Sequence, residues 1–283
     1  MHKLSVILAT FNEEKNLGPC LEALKDIADE FVIVDGTSTD KTVAIAKSYG
    51  ARVLVRQNEK IFHINKQKAL DMARNEWVLQ MDADEIVSKE LAKEIMQVIT
   101  MTKEELEAYQ EKLPNKKLFL RHQKLLADRD GNIGTEGGDY AAFFIPRLNY
   151  FLGKYLRYGG VYPDGVIRLI KKSKSHFPCV SVHEQIAVDG RVGWLQHDLL
   201  HMADPTFERY LKRNSRYINL IVDELKQEKH VSAFAYMVTL PLGWFFATTF
   251  RHKGILDGWQ GVTFSFFSAL RFPRAYLRYK KQK

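Results

Sequence analysis

Cysteine is nearly absent from this 283-residue chain, which has only Cys20 and Cys179. No CxxC pair and no Cys/His cluster exists, which argues against a structural zinc site. Two thiols so far apart read as reduced residues rather than a disulfide framework. Low-complexity stretches and internal repeats are also lacking. The apolar run after Met1 is short and meets Asn12-Glu13-Glu14-Lys15, so no secretory signal is expected and the chain is expected to act in the cytoplasm. Charge is plentiful but unbalanced. The formal net charge is +8 and the pI about 9.2, which favours anionic partners. Apolar residues make up 46% of the chain, enough for a real core and against wholesale disorder.

The N-terminal hydrophobic pattern alternates short apolar runs with helical spacing. Leu4–Ala9, Phe31–Val34, Arg52–Val55 and Trp77–Met81 read as buried strands. Helices are expected over 13–28, 41–49 and 64–74. This alternation predicts an α/β fold whose strands are joined by crossover helices, with ligands beyond the carboxyl ends of the strands. Asp35, Asp82 and Asp84 lie at such ends. A charged helix is expected over 89–110. The pattern then weakens from Pro114 to Gly138, and 128–138 reads as loop. Strands return at 140–145, 166–170 and 186–188, and a long amphipathic helix is expected over 206–226.

The last fifth differs. Val231–Phe250 has no charged residue and contains Pro241 and Gly243, and Trp259–Leu270 is also uncharged. From Arg251 to Lys283 there are eight Lys or Arg against one acid, Asp257. Positive charge set beside aromatic apolar segments points to an anionic membrane surface rather than to nucleic acid. Pro241 sits mid-segment, where it removes a backbone bond and kinks a helix. In-plane or shallow re-entrant helices are therefore expected in preference to a full span. The division expected is 1–205 for a catalytic domain and 206–283 for a helical, membrane-contacting extension.

Asp82-Ala83-Asp84-Glu85 follows the strand Trp77–Met81. Residues two apart in an extended segment point the same way, so Asp82 and Asp84 can face one ligand. Close carboxylates repel unless a cation sits between them, and Mg²⁺ or Mn²⁺ bridging to a diphosphate meets that need. The plain alternative is a solvated acidic loop leading to a helix capped by Ser88. Asp35 could accept hydrogen bonds from a base edge, while Thr39 or Asp40 caps the following helix. Val182-His183-Glu184 offers a proton acceptor for an attacking hydroxyl, Glu184 ahead of His183. His201 could complete the metal site or be structural. Arg147 and Arg168 could contact phosphate as charged forks or form ion pairs.

Ser5-Val-Ile-Leu-Ala-Thr-Phe-Asn-Glu-Glu14, then Val34-Asp-Gly-Thr-Ser-Thr-Asp-Lys-Thr42, then Asp82-Ala-Asp-Glu85 resembles family 2 glycosyltransferases, and among them the bacterial lipopolysaccharide-core glucosyltransferase branch. Gln67-Lys68 to Leu70, Arg147–Gly153, Gly159–Asp164, Arg168-Leu169 and Val182–Glu184 are similar to further motifs of that branch. The resemblance covers most of 3–205 and, more weakly, Gly254–Gly261. It implies a GT-A fold with a Rossmann-like mixed sheet, inverting transfer from a nucleotide-diphospho-sugar (a UDP-sugar foremost) with a divalent metal, and a lipid-linked or envelope glycan acceptor. The apolar and basic tail, with no secretory signal ahead of it, leads to an expected peripheral or monotopic attachment at the cytoplasmic face of the inner membrane. Thr10, Glu13 and Asp35 would hold the nucleoside and Lys68 would sit near the nucleotide. Asp82 and Asp84 would hold sugar-nucleotide and metal, and Glu184 would be the base. Two positions depart from the family pattern: Gly36 stands where a second Asp is common, and Thr37 where a Gly follows. Residues 104–138 look like an insertion. Two other functions stay open on the residues alone. One is a sugar-nucleotide nucleotidyltransferase, although Thr10–Glu14 is not the glycine- and basic-rich loop it would need. The other is a catalytically silent membrane-bound glycan-binding protein.

Overall fold

The computed structural model describes residues 2–131, 133–180, 185–227 and 231–282. In chain order the elements begin with β1 (Leu4–Thr10), α1 (Leu17–Glu22), β2 (Glu30–Asp35), α2 (Thr42–Ser48), β3 (Arg52–Val55), α3 (His63–Met72), β4 (Trp77–Met81) and β5 (Glu85–Val87). They continue through α4 (Lys89–Val98), α5 (Lys103–Glu111), α6 (Lys116–Asp130), β6 (Tyr140–Ile145), β7 (Arg147–Phe151), β8 (Lys154–Leu156), β9 (Val166–Lys171) and β10 (Ser175–His176). The remainder is β11 (Ala187–Val188), β12 (Arg191–Trp194), β13 (Leu199–Asp204), α7 (Phe207–Gln227), α8 (Leu240–Phe246), α9 (Trp259–Ala269) and α10 (Arg271–Gln282).

The chain forms two compact units, one of residues 1–147 with 163–201, the other of 148–162 with 202–283. The hairpin of β7 and β8 thus groups with the C-terminal helices, although it lies within the stretch 1–205 that the sequence treats as one domain.

The first unit is built on a seven-stranded mixed sheet in the order β12-β6-β9-β4-β1-β2-β3. β1 pairs in parallel with β2 and β4, while β9 runs antiparallel to β4 and β6. β1, β2 and β4 are buried at nearly every position because both sheet faces are covered. Leu4, Val6 and Leu8 of β1, Phe31 and Ile33 of β2, and Trp77, Leu79 and Met81 of β4 enter one core. Ile7, Val32, Val34 and Val78 enter the other. The mixed α/β fold agrees with the expected class.

Several elements differ from the expected ones. The helix expected over 13–28 shrinks to α1. The backbone N–H groups of Asn12, Glu13 and Glu14 are claimed instead by Ser38 Oγ, Thr42 Oγ1 and Asp40 Oδ2, at 2.8, 2.7 and 3.1 Å. The single helix expected over 89–110 is two, because Thr102 and Glu105 form a capping box that starts α5 afresh. The weak segment after Pro114 holds α6, which ends at Gly131 with φ 91°. Only Phe119 and Leu126 of α6 are buried, so its periodic signal is faint. Phe119 stacks on Trp194 with ring centroids 4.6 Å apart.

In the second unit, residues 233–251 are continuously helical, widened to π turns at Ala235–Thr239 and Ala247–Arg251, and α8 between them has Pro241 in its first turn. A π turn just before a proline accommodates the missing N–H and the ring. Among the described residues no helix is long and apolar enough to cross a membrane. Gly254 and Gly261 allow a close approach: a Cβ on Gly261 would lie 1.9 Å from the Gly254 carbonyl oxygen.

Candidate active site

All the residues that follow belong to the first unit. At the carboxyl ends of β1 and β2, the parallel register sets Thr10 opposite Asp35. Thr10 Oγ1 donates to Asp35 Oδ2 at 3.0 Å, and Ser38 donates to the same carboxylate from its backbone N–H (2.8 Å) and its hydroxyl (2.6 Å). Asp35 is 0% exposed, so it organises the loop from beneath while Ser38 is half-buried and Thr37 exposed at its surface. Glu13 lies in the adjoining turn and accepts from Asn16 Nδ2 at 2.7 Å. Asp40 accepts from Thr42 N–H at 2.9 Å at the start of α2, which is the capping role foreseen for Thr39 or Asp40. Gly36 has a steric reason, since a Cβ there would meet Asn58 at 2.9 Å. Thr37 holds a left-handed φ of 63°, a conformation costly for a β-branched residue.

Beyond β4 the chain does not continue extended. Glu85 N–H donates back to the Asp82 carbonyl at 3.0 Å, closing a turn over Ala83 and Asp84. The two-residue alternation that argues for a common face for Asp82 and Asp84 applies only to extended backbone, so it does not carry over to this turn. Asp82 Oδ1 accepts from Lys66 Nζ at 2.7 Å and Oδ2 from Arg168 Nη2. Arg168 also donates to Glu85 Oε1 at 2.6 Å and to Gln80 Oε1. Arg147 bridges Glu85 Oε1 at 3.2 Å and Asp164 Oδ2 at 2.6 Å. Three cations and three carboxylates thus interlock at the strand ends. Glu85 is 0% exposed and Asp82 35%, so the network is rooted in the core and opens to solvent at Asp82. Burial works to raise the Asp82 carboxyl, but Arg168 and Lys66 outweigh it and hold the group well below the usual carboxylate range. Burial also lowers the Lys66 ammonium, against the pull of Asp82.

Asp84 lies beside His201. β5 pairs antiparallel with β13, with His201 opposite Glu85, and this brings His201 Nε2 to 3.5 Å from Asp84 Oδ2. A carboxylate and an imidazole so placed can contribute two ligands to one divalent ion, leaving positions for diphosphate oxygens and water. No larger metal-ligating group of His, Cys, Asp or Glu occurs among the described residues.

The structure thus brings Asp82, Arg147 and Arg168 into one network, Asp84 and His201 into a neighbouring pair, and Thr10 and Asp35 into a third cluster. The arginines form buried ion pairs rather than surface ones. Lys68 is exposed on α3, and the lysine of the strand-end network is Lys66. His183 and Glu184 lie outside the described residues. Glu85, Gln80 and Lys66 escaped the sequence reading. One signal for Lys66 was available: it falls on the same helical stripe as Ala69 and Leu70, which are buried, whereas Lys68 does not.

The glycosyl transferase family 2 model matches residues 5–159, which carry most of these groups. An uncharacterised glycosyltransferase of Rickettsia typhi is 28% identical over 97% of this chain and 86% of its own length. The lipopolysaccharide core biosynthesis glycosyltransferase LpsC of Rhizobium meliloti is 27% identical over 95% of this chain and 91% of its own. Among solved structures, S. aureus TarS aligns with 89% of this chain at 17% identity and a TM-score of 0.42, and this chain spans 45% of TarS. With strand-end clusters in order along a mixed sheet and a family match over more than half its length, the chain belongs to glycosyltransferase family 2.

Proposed function

We propose that the chain moves a sugar from a nucleotide-diphospho-sugar to a hydroxyl of a lipid-linked or cell-envelope glycan, with inversion. The observation that carries this reading is the Asp82 network at the end of β4. Its carboxylate is ionised and pinned by two cations, yet a third of it faces solvent. Such a group accepts hydrogen bonds from sugar hydroxyls and keeps them in register. Held so far below its usual range, it is a poor proton acceptor, so deprotonation of the acceptor falls to another group, for which Glu184, or His183 beside it, is the assignment. Lys66, Arg147 and Arg168 balance the charge of Asp82, Glu85 and Asp164, so that the strand ends do not repel an anionic donor. Thr10, Glu13 and Asp35 frame the nucleoside, Asp35 through the loop it fixes. Asp84 and His201 would hold Mn²⁺ or Mg²⁺, which when bound screens the leaving diphosphate. The similarity to LpsC supports an envelope acceptor, and the exposed aromatic residues of the C-terminal helices support peripheral contact with an anionic membrane.

The test is a panel of nucleotide sugars with and without Mn²⁺, read by thermal shift and by product analysis. One donor should raise Tm, as ligands of the native state do, and release nucleoside diphosphate on adding acceptor. Release of pyrophosphate, or no donor response, overturns the reading.

A further inference from the structure

In the second unit α7 and α10 lie side by side. Ile218, Val222 and Leu225 pack against Ala275, Tyr276 and Tyr279. Arg271 reinforces the pair, its guanidinium 4.5 Å from the Tyr217 ring centroid. Along one edge of this contact runs a groove of about 460 Å³. Its apolar lining is Leu211, Ile218 and Leu277, and its basic lining is Arg274, Arg278 and Lys281. The three cations stand at i, i+4 and i+7, so they share one face of α10. Arg278 is steadied by Asn219 Oδ1, while Arg274 and Lys281 are exposed. α10 has five basic residues and no acid (Arg271, Arg274, Arg278, Lys280 and Lys281). Its other side carries Phe272 and Tyr276, which meet Trp244 and Tyr236 of the aromatic segment, with Trp244 and Phe272 rings 5.7 Å apart. That segment exposes Phe234, Leu242, Phe246 and Phe250 by more than half of their surface.

An apolar trough edged by three cations suits a ligand with an anionic head and an apolar tail. Neither a nucleotide nor a free sugar matches the apolar half, and a purely apolar partner leaves the cations without a counter-charge. Continuity through α10 with a helix that exposes large aromatics adds the setting in which such ligands are arrayed. We propose that the α7–α10 groove is a binding site for the phosphate headgroup of an anionic phospholipid, seated by Arg274, Arg278 and Lys281 while the upper acyl chain lies along Leu211 and Leu277. This deepens, and rests on, the peripheral-membrane part of the function above. It assigns a discrete headgroup site where diffuse attraction alone was argued.

The experiment uses the full chain and its Arg274→Gln/Lys281→Gln variant, both positions being exposed. Co-sedimentation is measured with phosphatidylcholine vesicles, with and without phosphatidylglycerol, and separately with inorganic phosphate or glycerol phosphate as competitor. The wild type should prefer the anionic vesicles and the variant should lose about tenfold or more of that preference. An Arg274→Lys/Lys281→Arg exchange should keep most of it, and millimolar soluble phosphate should compete weakly. Equal binding by the Gln variant overturns the groove assignment while leaving membrane contact intact. No vesicle binding by the wild type overturns both. Strong competition by soluble phosphate makes this a free-phosphate site, and a changed oligomeric mass in the variant makes it a contact between copies, and either result overturns the lipid assignment. Donor-induced thermal shift, followed in parallel, should be the same in variant and wild type. Its absence in both would strike the glycosyl-transfer reading and not the groove.

Discussion

Lys66 and Lys68 are two residues apart on α3, which turns about 200° between them. Lys66 therefore reaches Asp82 while Lys68 meets solvent. Lys66→Met should abolish most donor-induced thermal shift, whereas Lys68→Met should leave it near the wild-type value. Equal loss in both would return the nucleotide role to Lys68. Asp82→Asn leaves Lys66 and Arg168 with one counter-charge fewer. Since Asp82 is a third exposed, the stability cost should be about 1–3 kcal/mol rather than that of a fully buried pair. Turnover should fall by about a hundredfold or more, because the orienting carboxylate is lost. Wild-type turnover would remove Asp82 from the donor site. Thr37 is a different case. Its left-handed φ costs about 1–3 kcal/mol, only part of which a glycine gives back in unfolded-chain entropy. Thr37→Gly should raise Tm by a few degrees, and a lower Tm would show that the Thr37 side chain does more than tolerate its turn.

The elements are joined by polar contacts that connect distant parts of the chain. α6 is tied to the start of β9 by His122, whose Nε2 accepts from Gly165 N–H at 3.1 Å. Burial depresses the His122 pKa, against the pull of Asp164, and Arg129 adds to the lowering. A histidine depressed in the folded state takes up its proton more readily when unfolded. The unfolded chain thus binds more protons between the depressed value and the usual one near 6.5. The stability linked to His122 is complete above about pH 6.5 and is lost as pH falls through the lower, folded value. Chemical denaturation at pH 7.5 and 5.5 should show wild-type stability falling, and His122→Asn should flatten that slope. An unchanged slope in the variant would place the acid sensitivity elsewhere. Gly165 itself admits no side chain, since a Cβ would come within 2.3 Å of the Trp194 ring. Glu94 of α4 forms a comparable clip, accepting from Gln196 N–H at 2.7 Å and His197 N–H at 3.0 Å.

At the scale of the whole molecule, the second unit presents an apolar surface that its own core does not use. Phe246 and Trp259 are 57% and 61% exposed. Replacing both with Glu should leave Tm within a degree or two, because little buried area is lost, and should sharply reduce flotation with anionic vesicles. Undiminished flotation would shift membrane contact away from this surface. Substitution tests the idea more cleanly than removing 231–283, since the truncation also strips Ala275, Tyr276 and Tyr279 from the buried side of α7.

The sequence by itself determined the alternation of buried strands and crossover helices, the loop at the end of β2, the cap at Ser88, and the placing of apolar and basic residues together in the last fifth. These are local matters: periodicity, capping chemistry and composition act over a few residues and can be read along the chain. Only the tertiary structure decided that β9 runs antiparallel between β4 and β6. It also decided that the segment after β4 turns rather than extends, with Asp82 bonded to Lys66 and Arg168 and Asp84 beside His201, and that α6 fills a stretch with almost no apolar stripe. The pairing of Arg168 with Asp82 and Glu85, and of Arg147 with Glu85, spans 86, 83 and 62 residues. Such contacts are chosen by the packing of whole elements, because a charge enters the interior only where a partner from another strand or helix is already there to meet it.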